Sequence, residues 1–202
     1  MRRCRIIVRY GVGYDNVDYE AATAAGIMIG HCPNYCLDEV ATHAFALLLG
    51  CVRGVAETRD LLSVGGWNQN PVFRAYRMAG RTLGLLGLGN IGSTLARKVR
   101  GWGMHVLVHD PFVGPEQAAD LGVTLVDQDR LLRESDYVSL HVPLLPATRG
   151  LIGDAQLASM KPGAVLIQGS RGGIVDEAAL AAHLESGHLG GAAVDVYTTE
   201  PP

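Results

Sequence analysis

Hydrophobic residues in this chain fall into short unbroken runs that alternate with stretches where they recur every third or fourth position. That alternation marks buried parallel strands joined by helices. It is clearest in TLGLLGLGNIGSTLARKVRGW, positions 82–102. Residues 83–86 form an apolar run that reads as a strand, then Ile91, Leu95, Val99 and Trp102 follow at helical spacing until Gly101 and Gly103 stop the helix. Beyond it the pattern predicts strands over 105–109, 137–141, 164–167 and 192–194 and short helices over 117–121, 127–133 and 154–160. A further helix is capped by Asp176, carries Leu180 and Leu184 on one face, runs to Ser186 and is closed by Gly187. Ahead of the glycine-rich stretch lie a β-branched strand over 5–8, a short helix over 18–25 and a strand over 26–30, hence a parallel pair. Two strands alone cannot bury themselves, so more sheet before residue 1 or another chain is expected to cover them. One long helix is predicted over 37–62, with its apolar middle, 40–52, buried on all sides, followed by an irregular connector over 68–78. The fold class is therefore α/β: a doubly wound parallel sheet over 75–202, preceded over 1–74 by a partial second domain and the interdomain helix.

Within that frame Gly87, Gly89 and Gly92 carry candidate chemistry. At this spacing Gly87 makes the tight turn, Gly89 lets backbone approach a pyrophosphate, and Gly92 lets the helix lie close on the strand. The amides of Asn90 and Ile91, at a helix start, then face the phosphates, and an anionic cofactor binds there without a basic side chain. Asp110, eighteen residues beyond Gly92 at the tip of the next strand, can accept hydrogen bonds from both ribose hydroxyls and would repel a 2′-phosphate, which favours NAD over NADP. In such sheets ligands sit at the carboxyl ends of the strands, which selects positions 87–92, Asp110, Val142, Pro143, Gly169, Ser170, Arg171 and Asp195.

Composition narrows the partners. A formal net charge of −3, with no Lys/Arg run longer than two residues, argues against nucleic acid. Four cysteines without a secretory leader suggest reduced thiols in a cytoplasm. His31, Cys32, Cys36 and His43 fit no standard zinc spacing and read as buried thiols and their neighbours, with no metal. The apolar stretch 40–52 is too short to cross a bilayer, so no membrane role follows.

Six segments, GVGYDNVD at 11–18, GLGNIG at 87–92, His109-Asp110-Pro111, LHVPLLPATRG at 140–150, SRGGIVDE at 170–177 and GAAVDVYTTEPP at 191–202, together resemble the D-isomer-specific 2-hydroxyacid dehydrogenases. Phosphoglycerate dehydrogenases and C-terminal binding proteins are the most similar branches. The resemblance implies a Rossmann-like NAD domain and a partial flavodoxin-like substrate domain. It also implies NAD-dependent hydride transfer between NADH and the C2 carbonyl of a 2-oxo acid, and a homodimer. A co-repressor-like module that binds NAD(H) without turnover is the alternative. Arg171 matches the family's arginine, which pairs with the substrate carboxylate and carbonyl, and Glu200 the glutamate that supports the catalytic histidine. Cofactor contacts fall on Gly87, Leu88, Gly89, Asn90, Ile91, Gly92, Asp110, Val142, Pro143, Thr148, Gly169, Ser170 and Asp195, the last placed to bind the carboxamide. His43 either lines the nicotinamide side or is a satisfied core histidine. Gly11, Val12 and Gly13 match the loop whose amides hold the substrate carboxylate. The family's histidine belongs to a Pro-His segment, and no Pro-His dipeptide occurs here, so that segment, the first substrate-domain strands, the last strand of the NAD domain and the closing helices are expected outside these residues. Gln168-Gly169 stands where the family usually has Asn followed by Thr or Val.

Overall fold

The structure, a computed structural model, describes residues 3–67 and 77–202. The expected boundary at 74/75 and most of the expected connector lie outside the described residues. The chain divides into two compact units, Met1–Val40 and Ala41–Pro202.

In the first unit, β1 (Ile6–Arg9) pairs in parallel with β2 (Met28–His31) across α1 (Tyr19–Ala24). Asp18 starts that helix, its Oδ1 accepting the Ala21 N–H at 2.8 Å. Ile6, Val8 and Met28 remain 52% to 64% exposed on this two-stranded sheet.

Where one long helix was expected, α2 (Leu37–Arg53) and α3 (Val55–Ser63) are bent by 58° about Gly54, whose left-handed φ of 57° no continuing helix allows. The apolar middle of α2 is not buried on all sides either. Ala41, Ala44, Leu48 and Val52 form one buried stripe, while Thr42, His43 and Ala46 are exposed. Among the described residues no single helix is long and apolar enough to cross a membrane. The four cysteines are free and partly exposed rather than buried. Burial, then Glu57 nearby, raises the Cys51 pKa.

The second unit is built on six parallel strands in the order β5-β4-β3-β6-β7-β8. They are β3 (Thr82–Leu86), β4 (His105–His109), β5 (Thr124–Leu125), β6 (Tyr137–Leu140), β7 (Val165–Gln168) and β8 (Gly191–Val194). The connecting helices are α4 (Asn90–Val99), α5 (Pro115–Leu121), α6 (Gln128–Glu134), α7 (Asp154–Ser159) and α8 (Glu177–Glu185). The two-residue β5 carries too short an apolar run to be read from sequence. Alternation along β3 sends Leu83 and Leu85 into a core with α2 and α4, and Leu86 into a second core with α6, α7 and α8. Gly84 faces α6 so closely that a Cβ there would strike Ser135 Oγ and Leu131. Asp176 caps α8 with its carboxylate, as expected from sequence, and Asp127 caps α6 in the same way.

Candidate functional site

Because every strand of the second unit runs the same way, the residues after β3, β4, β6, β7 and β8 meet along one edge of the sheet. After β3 the chain turns at Gly87, φ 95°, where a Cβ would lie 2.6 Å from the His141 carbonyl oxygen. A Cβ on Gly92 would strike Gly87 O, so only glycine lets α4 start this close to the strand. Gly89 differs: nothing lies within 4 Å of its Cβ position, and no side chain caps the helix that follows. The start of α4 thus keeps an open cradle lined by Leu88, Gly89, Asn90 and Ile91, which fits a pyrophosphate.

Asp110, expected from sequence to meet a ribose, has structural partners of its own. Its Oδ2 accepts the Leu88 N–H at 2.8 Å and its Oδ1 the Phe112 N–H at 2.9 Å, so the carboxylate ties the tip of β4 to the glycine loop. Each oxygen retains a lone pair for a hydroxyl. Below the loop, Ser139 Oγ lies 2.9 Å from His141 Nε2, and burial lowers the His141 pKa to about 4. On the next connection the Thr148 hydroxyl spans the turn, donating to Pro143 O at 2.5 Å and accepting the Leu145 N–H at 2.8 Å. Val142 and Pro143 are thereby held beside the glycine turn, with Val142 Cγ1 3.1 Å from the Cβ position of Gly87.

The remaining loops form the other half. Gln168, 2% exposed, hydrogen-bonds Ser170 and the Arg171 carbonyl. The backbones of Gly172 and Tyr197 pass so closely that no Cβ fits at Gly172. Arg171 and Glu200 line one cavity of about 330 Å³ with Leu144, Gly172, Tyr197 and Thr198. Glu200 Oε1 accepts the Tyr197 N–H at 3.0 Å, and Glu177 Oε1 accepts both the N–H and the hydroxyl of Thr198, at 2.6 and 2.8 Å. His43 Nε2 lies 3.5 Å from Asp195 Oδ2, both side chains about half exposed, which overturns a core role for His43. In the first unit Gly11 donates its N–H to Arg9 O, so that amide is spent within the loop. The Val12 carbonyl lies 3.1 Å from His31 Nδ1.

Reading from sequence missed Gln168 and Glu177 as organisers. Gln168 closes an apolar run and is polar where the run predicts otherwise, which was a usable signal. Glu177 looked only like a helix start, because its partner Thr198 is 21 residues away.

An α/β domain with an open helix start, a strand-tip carboxylate and a ligand edge formed by successive parallel strands is a dinucleotide-binding domain. Residues 45–202 match the family described as D-isomer specific 2-hydroxyacid dehydrogenase, NAD binding domain, and the chain belongs to this family, with NAD as its cofactor. It is 42% identical over 199 residues to D-3-phosphoglycerate dehydrogenase of Mycobacterium leprae, covering 98% of this chain and 38% of that protein. With glyoxylate reductase of Thermococcus litoralis it shares 41% identity over 205 residues, 98% of this chain and 62% of that protein. D-lactate dehydrogenase from Aquifex aeolicus, solved with NAD and lactic acid, superposes with a TM-score of 0.90 at 33% identity, over 98% of this chain and 59% of that one. The chain thus spans between about a third and two thirds of these relatives.

Proposed function

We propose that the chain belongs to an NAD-dependent oxidoreductase that moves hydride between NADH and the C2 carbonyl of a 2-oxo acid, giving a D-2-hydroxy acid. The observation carrying this reading is the shared cavity of Arg171 and Glu200. A guanidinium offers two parallel donors, matched to a carboxylate and its adjacent carbonyl oxygen. Three relatives are named for phosphoglycerate, glyoxylate and lactate, compounds that have a 2-oxo or 2-hydroxy acid unit in common.

Bound NADH supplies the hydride. Arg171 orients the carbonyl and stabilises charge growing on its oxygen, which gains one proton as C2 gains hydride. Glu200 holds charge at the cavity wall, where it favours a protonated imidazole beside it; the resemblance assigns that imidazole to a Pro-His segment absent from these residues. The resemblance assigns the carboxamide to Asp195, which has His43 beside it. Asp110 is assigned the ribose in the same reading. Gly11, Val12 and Gly13 are assigned the substrate carboxylate by resemblance, Val12 and Gly13 carrying that part since the Gly11 amide is engaged. Assembly as a homodimer belongs to the same reading, supported by a groove of about 840 Å³ lined by Leu49, Val55, Met78 and Trp102. Sedimentation would then report twice 21.5 kDa.

The test is NADH oxidation with glyoxylate, pyruvate and 3-phosphohydroxypyruvate. Turnover of at least one is expected of a protein that also carries the Pro-His segment, with Arg171→Lys lowering kcat/KM by about 100-fold or more, whereas these 202 residues without that imidazole are expected to bind NADH and turn over little. NADH binding without oxidation by any of them, in a protein that carries that segment, would overturn the enzyme reading in favour of a binding module.

A further inference from the structure

We propose that Gln168 is a positioning residue whose buried carboxamide holds Arg171 in its substrate-binding pose; this rests on the assignment of Arg171 to the substrate. Gln168 is the last residue of β7 and its own carbonyl accepts the Asp195 N–H at 2.9 Å, so its backbone is fixed by the sheet. Its side chain turns back on the loop. Nε2 donates to Arg171 O at 2.7 Å, while Oε1 accepts the Ser170 hydroxyl at 2.8 Å, with the Ser170 N–H at 3.4 Å. A carbonyl can only accept, so the carboxamide nitrogen must face Arg171 and the oxygen must face Ser170. That orientation also spends the Ser170 hydroxyl proton on Gln168 Oε1.

The need for such a bridge follows from the neighbours. Gly169 has no side chain and nothing within 4 Å of its Cβ position, so packing does not fix the turn before Arg171. On the far side, Gly172 is pinned beneath the Tyr197 carbonyl. Arg171 therefore stands between a packed glycine and an unpacked one, and the Gln168 carboxamide closes the unpacked side. A displacement of about 1 Å at a group that orients a reacting carbonyl costs about 100-fold in rate, so such a bridge acts on the chemistry without touching substrate.

The test compares wild type with Gln168→Leu and Gln168→Asn, with Arg171→Lys as the control. Oxamate, an isostere of a 2-oxo acid anion, is titrated by fluorescence into each chain with NADH bound. The phenylglyoxal modification rate of the Arg171 peptide is followed by mass spectrometry, and thermal unfolding is recorded. Gln168→Leu is expected to weaken oxamate about tenfold while NADH affinity changes by less than about threefold and Arg171 labelling changes at least about threefold. Gln168→Asn, one methylene short of Arg171 O, falls between. Wild-type oxamate affinity and labelling in Gln168→Leu would overturn the proposal, and so would an equal loss of NADH, oxamate and thermal stability. If Arg171→Lys, or wild type itself, shows that oxamate does not engage Arg171, the substrate assignment fails instead, and the labelling rate alone decides for Gln168.

Discussion

At the scale of single residues, Asp110 and His141 do work that their types alone do not announce. Asp110 ties down Leu88 besides being the proposed ribose partner, so Asp110→Ala removes a loop tether together with that proposed contact. NADH affinity is expected to fall about 10- to 100-fold, with NADPH gaining less than NADH loses; fluorescence titration with both cofactors checks this. For His141, a folded pKa of about 4 lies below the ordinary 6.5, so on acidification the unfolded chain takes up its proton first. The stability contributed by the neutral imidazole is complete above 6.5, declines as pH falls through the window, and is gone below about 4. Urea unfolding is expected to show about 2 kcal/mol less stability at about pH 5 than at about pH 7. His141→Asn, which keeps a partner for Ser139, should flatten that difference.

At the scale of elements, the turn between β3 and α4 separates two demands that one glycine motif combines. Gly89 has φ −65° and open space at its Cβ position, so Gly89→Ala should leave the melting temperature within about 2 °C of wild type while weakening NADH binding about tenfold or more. Gly92→Ala should lose both, at a cost of about 1–3 kcal/mol, because the new methyl meets Gly87 O. Calorimetry paired with titration distinguishes the two variants. Strands such as β3 and β7, buried along nearly their whole length, were legible as apolar runs, α1 and α6 as short helices, and α8 as an Asp-capped segment. The break at Gly54 was not legible, because the apolar spacing continues across it while the backbone does not. Nor was the polar bracing of the site: Gln168 with Arg171 and Glu177 with Thr198 are set by how loops fold back, which no periodicity records.

Across the whole second unit, the edge of the sheet opposite the glycine turn is braced by charge. At the amino-terminal edge Asp136 meets the Thr82 N–H at 2.8 Å, Arg81 at 3.0 Å and Lys161 at 3.3 Å. Burial pushes its carboxyl up, yet these three partners outweigh burial and leave the pKa below 3.8. Its contribution is therefore present above the unfolded pKa and lost as pH falls through the folded one. Asp136→Asn is expected to cost about 1–2 kcal/mol at neutral pH and little in strong acid, with NADH affinity unchanged; urea unfolding and titration on the same samples check both.

The strand order has a consequence in time. β3 sits between β4, nearby in sequence, and β6, which joins it only through pairs such as Leu83 with Tyr137. Closing that long connection has an entropic cost that must be met before any contact across it helps, so the two halves of the sheet can collapse separately ahead of their union. The glycine turn leans on the His141 carbonyl, beyond β6, so the cradle has no floor until the halves join. During refolding, NADH fluorescence should accordingly stay at its free-cofactor value through the early burst and change no sooner than the phase that completes the sheet.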